Sequence, residues 1–314
     1  MKVIITGAGG FIGKNLLLGL SGEDQLLALD RGGDLPAFAA RHSLASVTVR
    51  EGDLTDDSFL KKTAADWGEA PDAVIYLAGN GDPAYSVSHP REDLRDTVLG
   101  FLTFCHYFHP RRLIYFSSGA VYDGISGPVS PSSRLDPRLP YSIGKLACEQ
   151  YLKFFQSSGS IGDYIILRFF GAYGPYEPPR KIYTKLVRAF LLEKQREFTI
   201  RGDGKNLIDA MFVDDTVRAL ELVLKAPVSN RVVDFCVGKP FTIRELVEEA
   251  ARVFELPVEI NLTGEVPEYI DFRPSPAEMK ELFGFSPRVP LSEGLKRLGE
   301  YLSSSKIIVE GKSN

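Results

Sequence analysis

The sequence predicts an α/β fold, in which a doubly wound parallel sheet is joined to a smaller mixed α/β lobe built mainly from the C-terminal part of the chain. Two observations support this prediction. Short apolar segments alternate with segments of helix length through the first half, as is typical of parallel sheets covered by helices on both faces. After Arg168 this rhythm ends, and Pro175, Pro178 and Pro179 interrupt the chain.

The first half is predicted to contain six buried strands, each an apolar segment bounded by Gly, Pro or charged residues. They are Val3–Thr6, Leu26–Asp30, Val47–Arg50, Ala73–Ala78, Leu113–Ser117 and Tyr164–Arg168. The segments between them are long enough for helices, among them Phe11–Leu20, Asp56–Ala65, Leu94–Tyr107 and Tyr141–Phe155.

The second half is predicted to mix short strands with helices. Asp214 is expected to be the N-cap of a helix over Thr216–Leu224, and Thr242 with Glu245 forms a capping box for the next helix. The strands are predicted at Phe198–Arg201, Val232–Cys236 and Val258–Leu262, and the other helices at Ile182–Glu193, Ala277–Phe283 and Leu291–Leu302.

Composition excludes several classes of protein. The 314 residues carry a net charge of -4, so no overall basic field would attract nucleic acid. No apolar run is long enough to span a bilayer, and residues 1–7 lead straight into a strand and a glycine turn without a signal-peptide pattern. Cys105, Cys148 and Cys236 lack CxxC spacing, and the four histidines are scattered, so we expect a cytoplasmic protein without disulfides or a metal site.

The segment TGAGGFIG, residues 6–13, follows the first predicted strand and opens a helix. Gly7 allows a tight turn, Gly10 allows the backbone to approach a pyrophosphate, and Gly13 allows the helix to pack closely on the strand. The helix N-terminus adds N–H donors and the positive end of its dipole. This context predicts a Rossmann domain that binds a dinucleotide.

Two acidic residues follow the next strands. Asp30 ends the second strand, where a carboxylate accepts hydrogen bonds from an adenosine ribose and repels a 2′-phosphate, which favours NAD over NADP. Arg31 beside it leaves NADP possible, because a guanidinium tolerates that phosphate. Asp53 is predicted to meet the adenine amino group. The simpler alternative is that Asp30 and Asp53 are turn residues only.

Tyr141 and Lys145 stand four residues apart, on one face of a predicted helix. A phenol is a weak acid with a pKa of about 10, and a neighbouring ammonium favours its ionised form. Ser117 and Ser118 end the fifth predicted strand, at the sheet edge where open α/β folds bind ligands. We therefore predict Ser118, Tyr141 and Lys145 as catalytic residues of a redox site.

With these motifs the chain resembles the extended short-chain dehydrogenase/reductases, in the group of nucleotide-sugar epimerases and dehydratases. Motifs of that family occur in order through most of the chain: TGAGGFIG (6–13), LAG (77–79), SSGAVYD (117–123), YSIGK (141–145), LRFFGAYGP (167–175), GDG (202–204) and FVDD (212–215). The resemblance implies that Tyr141 is the acid–base residue, assisted by Lys145 and the Ser118 hydroxyl, and that Phe169 flanks the nicotinamide.

The cofactor contacts that the resemblance adds to those above are Phe11, Ile12, Arg31, Leu54, Leu77, Ala78, Gly79, Ser117 and Phe169. It also implies that residues 1–170 form the NAD-binding domain, that a later segment of about 205–240 returns to it, and that 171–314 mainly bind substrate. The helices near Leu94–Tyr107 and Tyr141–Phe155 would pair across a homodimer.

Four features of the family pattern are missing from this chain. Gly119 and Ala120 replace the acidic pair with which dehydratases expel water, so 4,6-dehydration is not expected. Gly171 replaces a substrate-contacting Asn, and Thr97 replaces a helix Asn. The family's phosphate-binding Arg is missing from residues 207–209, and the residues considered as replacement cations are Arg180, Lys181, Arg201 and Arg273.

The resulting expectation is an NAD-dependent epimerase that inverts C4 of a nucleotide sugar through a 4-keto intermediate, with Ser118, Gly171, Arg180, Arg201 and Arg273 as substrate-binding residues. The same residues would equally serve a 4-ketoreductase or a dehydrogenase with an exchanging cofactor. A non-catalytic dinucleotide-binding scaffold is the alternative from another class, and the intact Ser118, Tyr141 and Lys145 argue against it.

Overall fold

The computed structural model describes residues 1–20, 22, 24–264 and 270–310, and the side chains of residues 305–310 are not considered. Seven parallel strands form the central sheet, in the order β12-β7-β5-β4-β1-β2-β3. These are β1 (Lys2–Thr6), β2 (Gln25–Asp30), β3 (Val47–Glu51), β4 (Ala73–Tyr76), β5 (Arg112–Ser118), β7 (Asp163–Phe169) and β12 (Arg231–Phe235). The order steps outward from β1 in both directions, as in a doubly wound Rossmann sheet, and confirms the predicted fold class.

Helices cover both faces of this sheet and continue into the second lobe. They are α1 (Phe11–Leu20), α2 (Leu35–Arg41), α3 (Asp57–Trp67), α4 (Pro83–Ser88), α5 (Pro90–Leu94), α6 (Gly100–Tyr107), α7 (Pro140–Ser157), α8 (Ile182–Val187), α9 (Val213–Lys225), α10 (Ile243–Val253), α11 (Ala277–Phe283) and α12 (Leu291–Glu310). Arg95–Leu99 and Arg188–Leu192 are π-helical turns, and Gly119–Tyr122 is a 3₁₀ turn.

Four small two-stranded sheets lie outside the central sheet. Their strands are β6 (Gly127–Pro128), β8 (Ala172–Tyr173), β9 (Glu197–Ile200), β10 (Leu207–Ile208), β11 (Met211–Phe212), β13 (Phe241–Thr242), β14 (Glu259–Leu262) and β15 (Phe272–Arg273). The pairs are β10 with β13, β11 with β8, β14 with β9 and β15 with β6. Residues 231–235 thus join the central sheet, whereas residues 207–208 and 241–242 pair with each other.

Alternating residues of the central strands supply two cores. Val3 and Ile5 are buried on one face of the sheet, and Ile4 is buried on the other. This alternation follows from the pleat of a strand. A third cluster, around Phe190, Leu246 and Leu298, is the core of the second lobe.

Several predicted element bounds differ from the structure; the helix predicted over Leu291–Leu302, for example, continues to Glu310. The strand that starts at Ala73 ends at Tyr76, not Ala78, because the backbone turns there and the Leu77 and Ala78 N–H groups donate to Thr6 Oγ1 at 3.2 Å. The predicted helix Leu94–Tyr107 begins earlier and contains a π turn. Asp214 is not an N-cap, since the helix begins at Val213 and Asp214 lies in its first turn. The capping box of Thr242 and Glu245 is confirmed.

Within the described residues, no helix combines the length and the apolar character that a membrane crossing requires. The three cysteines are buried and free. Residues 311–314 of the predicted substrate lobe lie outside the described residues.

Candidate active site

Three connected spaces open along the edge where the central strands end. The glycine-loop groove, 580 Å³, is lined by Gly7, Asp30, Asp53 and their neighbours. The central cavity, 480 Å³, lies between Gly10, Tyr141 and the loop around Glu177. The side chamber, also 480 Å³, extends beyond Ser118 towards Phe272. The carboxyl edge of a parallel sheet is where open α/β folds bind their ligands.

The glycine loop is shaped to leave its backbone exposed to the groove. Gly7 has a φ of +68°, and a Cβ there would lie 2.9 Å from the Ala78 nitrogen. A Cβ on Gly13 would lie 2.5 Å from the Gly7 carbonyl oxygen, so only glycine allows the helix to start this close to β1. No side chain therefore stands between the loop and a pyrophosphate, and the residues present fit a dinucleotide.

The acids after β2 and β3 line the same groove. The Gly9 N–H donates to Asp30 Oδ2 at 2.8 Å, which fixes the carboxylate beside the loop. Arg31 turns towards Asp96, with Nη1 2.9 Å from Oδ2, and stays 3.9 Å from Asp53. Arg31 therefore already has a carboxylate partner, Asp96, which it shares with Arg95.

Asp53 Oδ1 accepts hydrogen bonds from the Thr55 N–H at 2.9 Å and the Thr55 hydroxyl at 2.8 Å. Burial alone would raise the pKa of Asp53, but these hydrogen bonds and the nearby Arg31 hold it below its usual value. The carboxylate therefore remains ionised, as an acceptor facing the groove.

Every residue predicted to contact the cofactor lines either the glycine-loop groove or the central cavity. These residues are Gly7, Gly10, Phe11, Ile12, Gly13, Asp30, Arg31, Asp53, Leu54, Leu77, Ala78, Gly79, Ser117, Tyr141, Lys145 and Phe169.

Ser118, Tyr141 and Lys145 all line the central cavity. Tyr141 and Lys145 lie in the first turns of α7, with Lys145 Nζ 5.9 Å from the centre of the Tyr141 ring. Lys145 Nζ donates to the Phe116 carbonyl at 3.0 Å, which anchors the ammonium against β5. Ser118 Oγ accepts from the Ala120 N–H at 3.1 Å, so its own proton remains available to a ligand. This arrangement can hold and transfer a proton at a bound hydroxyl or carbonyl.

A buried polar network lies next to the predicted catalytic residues. The Ser117 hydroxyl donates to Glu149 Oε1 at 2.6 Å, and Arg168 binds both Glu149 oxygens. Arg168 also donates to the Tyr122 hydroxyl at 3.0 Å, and Tyr122 donates to Asp234 at 2.6 Å. Burial is the main influence on Asp234 and raises its pKa to about 6. The network joins the ends of β5 and β7 to α7.

The predicted substrate-binding residues are only partly brought together. Ser118, Gly171 and Arg180 line the central cavity, and Arg180 also pairs with Asp82 at 2.8 Å. Arg201 and Arg273 are exposed and line none of the three spaces among the described residues.

Residues 207–209, which lack the expected arginine, stabilise the fold and line the cavity wall. Asp209 is buried and accepts the N–H groups of Val237 and Gly238, both at 2.7 Å. Burial raises the pKa of Asp209, against these hydrogen bonds. Ile208 beside it lines both the central cavity and the side chamber, so an apolar side chain occupies the wall.

Sequence reasoning missed two groups in the central cavity. Asn80 lines it and donates to Asp93 at 2.8 Å, and Glu177 lines it while accepting the Thr184 N–H and hydroxyl. Burial is the main influence on Glu177 and raises its pKa to about 7. Asn80 directly follows the LAG motif (77–79), so its position at the site could have been predicted from the sequence. The sequence around Glu177 does not indicate that its carboxyl is buried. Among the described residues no group of His, Cys, Asp and Glu could hold a metal ion.

A family model described as "NAD dependent epimerase/dehydratase family" matches residues 3–238. The human dTDP-D-glucose 4,6-dehydratase is 25% identical over 324 residues, which cover 96% of this chain and 89% of that protein. An uncharacterized UDP-glucose epimerase of Bacillus subtilis is 27% identical over 332 residues, covering 97% and 98%.

Among solved structures, the UDP-N-acetylglucosamine 4-epimerase of Methanobrevibacter ruminantium, in complex with UDP-N-acetylmuramic acid, has a TM-score of 0.85 and 25% identity. The match covers 97% of this chain and 98% of that structure. The similarity therefore extends through both lobes.

Proposed function

Because the chain belongs to the NAD-dependent epimerase/dehydratase family, we propose that it is an epimerase that inverts C4 of a nucleotide-activated sugar. The observation that carries the proposal is that Ser118, Tyr141 and Lys145 line one cavity, directly continuous with a groove shaped for the dinucleotide. When bound in that groove, NAD would supply reversible hydride transfer at the sugar carbon.

In this mechanism Tyr141 takes the proton of the C4 hydroxyl, and the Ser118 hydroxyl donates to the same oxygen as it becomes a carbonyl. The Lys145 ammonium lies beside the phenol, with Nζ 5.9 Å from the centre of its ring. Tyr141 returns the proton after the keto sugar has turned in the cavity. The groove residues that would hold the cofactor are the glycine loop, Asp30 and Asp53, and Asp30 supports NAD over NADP.

Epimerisation is favoured over dehydration by what stands beside Ser118. Gly119 and Ala120 supply no acid or base, and a Cβ on Gly119 would lie 2.7 Å from the Phe170 ring. Elimination of water from a sugar requires a proton donor and acceptor directly after Ser118, and Gly119 and Ala120 provide neither.

A homodimer is part of the proposal. The adjacent α5–α6 segment and α7 carry exposed apolar side chains, namely Leu94, Leu99, Ile143, Tyr151 and Phe154, each between 43% and 60% exposed. A cluster of this kind on a soluble domain marks an interaction surface. A second copy of the chain, pairing these helices, would bury them.

The test is incubation of the NAD-loaded protein with UDP-glucose and UDP-N-acetylglucosamine, followed by chromatography of the sugars. We expect the C4 epimer without accumulation of reduced nicotinamide. Reduced cofactor formed in proportion to product would instead favour the dehydrogenase alternative, and no change in any sugar would favour the scaffold.

A further inference from the structure

Three basic side chains line the central cavity, among the residues that the structure describes: Lys145, Arg180 and Lys181. Lys145 is anchored beside the catalytic phenol by the Phe116 carbonyl. Arg180 is exposed and paired with Asp82. Lys145 and Arg180 therefore each have a defined partner within the protein, which leaves Lys181 as the basic side chain of the cavity to be explained.

Lys181 stands where the two substrate spaces meet. It lines the central cavity and also the side chamber, whereas Lys145 and Arg180 line the central cavity but not the chamber. Ser118, which lies beside the reacting oxygen in the proposed mechanism, is shared by the same two spaces. A ligand that extends from Ser118 into the chamber would therefore lie along a wall that includes Lys181.

The Lys181 ammonium is half-buried and has no carboxylate within 4.0 Å in the described part of the chain. The one hydrogen bond it makes there is a long one, from Nζ to the Gly81 carbonyl at 3.3 Å. Burial lowers the pKa of Lys181, and the Arg180 charge lowers it further. A desolvated ammonium with two unused protons is stabilised by an anion.

The charges of Asp82 and Glu177 raise the pKa of Lys181 against the effects of burial and Arg180, but within the described residues no carboxylate forms a salt bridge with it. In the chamber, Asp209 uses both carboxylate oxygens on backbone N–H groups, and Asp123 accepts from the Arg138 and Leu139 N–H groups. In the central cavity, Glu177 accepts from Thr184. The rest of the chamber wall is largely apolar, with Phe170, Ile243, Ile270 and Phe272 among its residues.

We propose that Lys181 binds a phosphate group of the nucleotide-sugar substrate, at the wall shared by the central cavity and the side chamber. This inference rests on the proposed function, and it assigns the contact with the substrate phosphate to one residue. An anion deeper in the chamber would face apolar rings and carboxylates, so the shared wall is the favourable position. The sugar would then lie on the Ser118 side and the nucleoside on the chamber side.

The test is calorimetric titration of the NAD-loaded protein with UDP, comparing the natural chain with Lys181→Gln and Lys181→Arg. A hydrogen bond to a charged group is lost in Lys181→Gln, so we expect the affinity for UDP to fall about 10- to 100-fold. Lys181→Arg should restore much of the loss, because it keeps the charge. Lys185→Gln, an exposed lysine one turn further along the chain, is the matched control and should bind UDP normally.

Two further measurements separate the outcomes. The affinity for NAD should be the same in all four proteins, which shows that each is folded, and the affinity of the natural chain for UDP should fall with added salt while that for uridine does not. Equal UDP affinity in Lys181→Gln, or a salt-independent UDP affinity, would overturn the inference alone. A natural chain that binds NAD but not UDP would overturn the proposed function itself.

Discussion

The Arg168 guanidinium binds the Glu149 carboxylate through two hydrogen bonds in the interior of the protein, with Nε 3.1 Å from Oε1 and Nη2 2.9 Å from Oε2. The Arg168 and Glu149 side chains are only 4% and 0% exposed. Glu149 follows Lys145 by one helical turn, and Arg168 precedes Phe169 at the end of β7. The pair therefore links the helix of Tyr141 to the strands that carry Ser118 and Phe169.

Removing one partner of this pair should destabilise the whole domain. Glu149→Gln keeps the shape of the side chain but leaves the buried Arg168 charge uncompensated, for which we expect a loss of about 3 kcal/mol in the free energy of unfolding. Urea denaturation measures it. Glu248→Gln, which breaks an exposed pair with Arg244, is the control and should cost well under 1 kcal/mol. A similar small loss in Glu149→Gln would show that the buried pair is not structural.

Tyr141→Phe removes the hydroxyl that transfers the proton in the proposed mechanism. Turnover should fall by a factor on the order of 10² to 10⁴, the usual contribution of an acid–base group, while NAD affinity stays unchanged. Steady-state kinetics and a separate NAD titration measure the two. Tyr151→Phe, on the exposed side of the same helix, should retain full activity. Undiminished turnover in Tyr141→Phe would assign the chemistry to another residue.

The buried Glu177 should make stability depend on pH. Burial raises its pKa to about 7 in the folded protein, from 4.5, despite hydrogen bonds from Thr184. Between these two values the folded chain holds a proton that the unfolded chain has released, so this contribution to stability is complete below about pH 4.5 and is lost as the pH rises through 7.

Glu177→Gln should remove that dependence, which amounts to no more than about 3.4 kcal/mol at 1.36 kcal/mol per pKa unit. Urea denaturation of both proteins, measured about once per pH unit from roughly pH 5 to 8, gives the slope of the free energy of unfolding against pH. Glu259→Gln, at an exposed carboxyl, should leave the slope as it is. Parallel curves for Glu177→Gln and the natural chain would contradict the assignment.

The exposed apolar helix surface should hold two copies of the chain together. Ile143→Lys combined with Phe154→Lys places charges at two of its positions, which are 50% and 60% exposed, so the dimer should dissociate. Light scattering on a sizing column measures the mass. Leu262→Lys, at a residue of comparable exposure elsewhere, should not change it. A natural chain that elutes as a monomer would remove the dimer from the proposal.

Sequence reasoning reached the fold and the cofactor groove because both depend on local pattern. The glycine turn, Asp30 and the Tyr141/Lys145 spacing each lie within one strand–turn–helix unit, where chain geometry fixes the outcome. Over the described ranges of the chain, Arg201 and Arg273 line none of the three spaces, and the sequence could not indicate this because whether a distant arginine faces the cleft depends on how the second lobe packs.

The Glu149–Arg168 pair was missed for the same reason, since the partners come from different elements and meet only in the folded core. The position of Asp214 shows that prediction from sequence can also be wrong within a single helix. An acidic residue near a helix start is favourable both as N-cap and in the first turn, so residue type alone does not distinguish them.

The most direct test of the central claim follows the hydrogen at C4. UDP-glucose and UDP-N-acetylglucosamine, each carrying deuterium at C4, are incubated with the NAD-loaded protein, and the sugars are analysed by mass spectrometry and NMR. We predict a C4-inverted product that keeps its deuterium at C4, formed at a rate lower by a factor on the order of 10² to 10⁴ in Tyr141→Phe. An inverted product that has exchanged this deuterium for solvent hydrogen would contradict the proposed return of the same hydrogen to the opposite face.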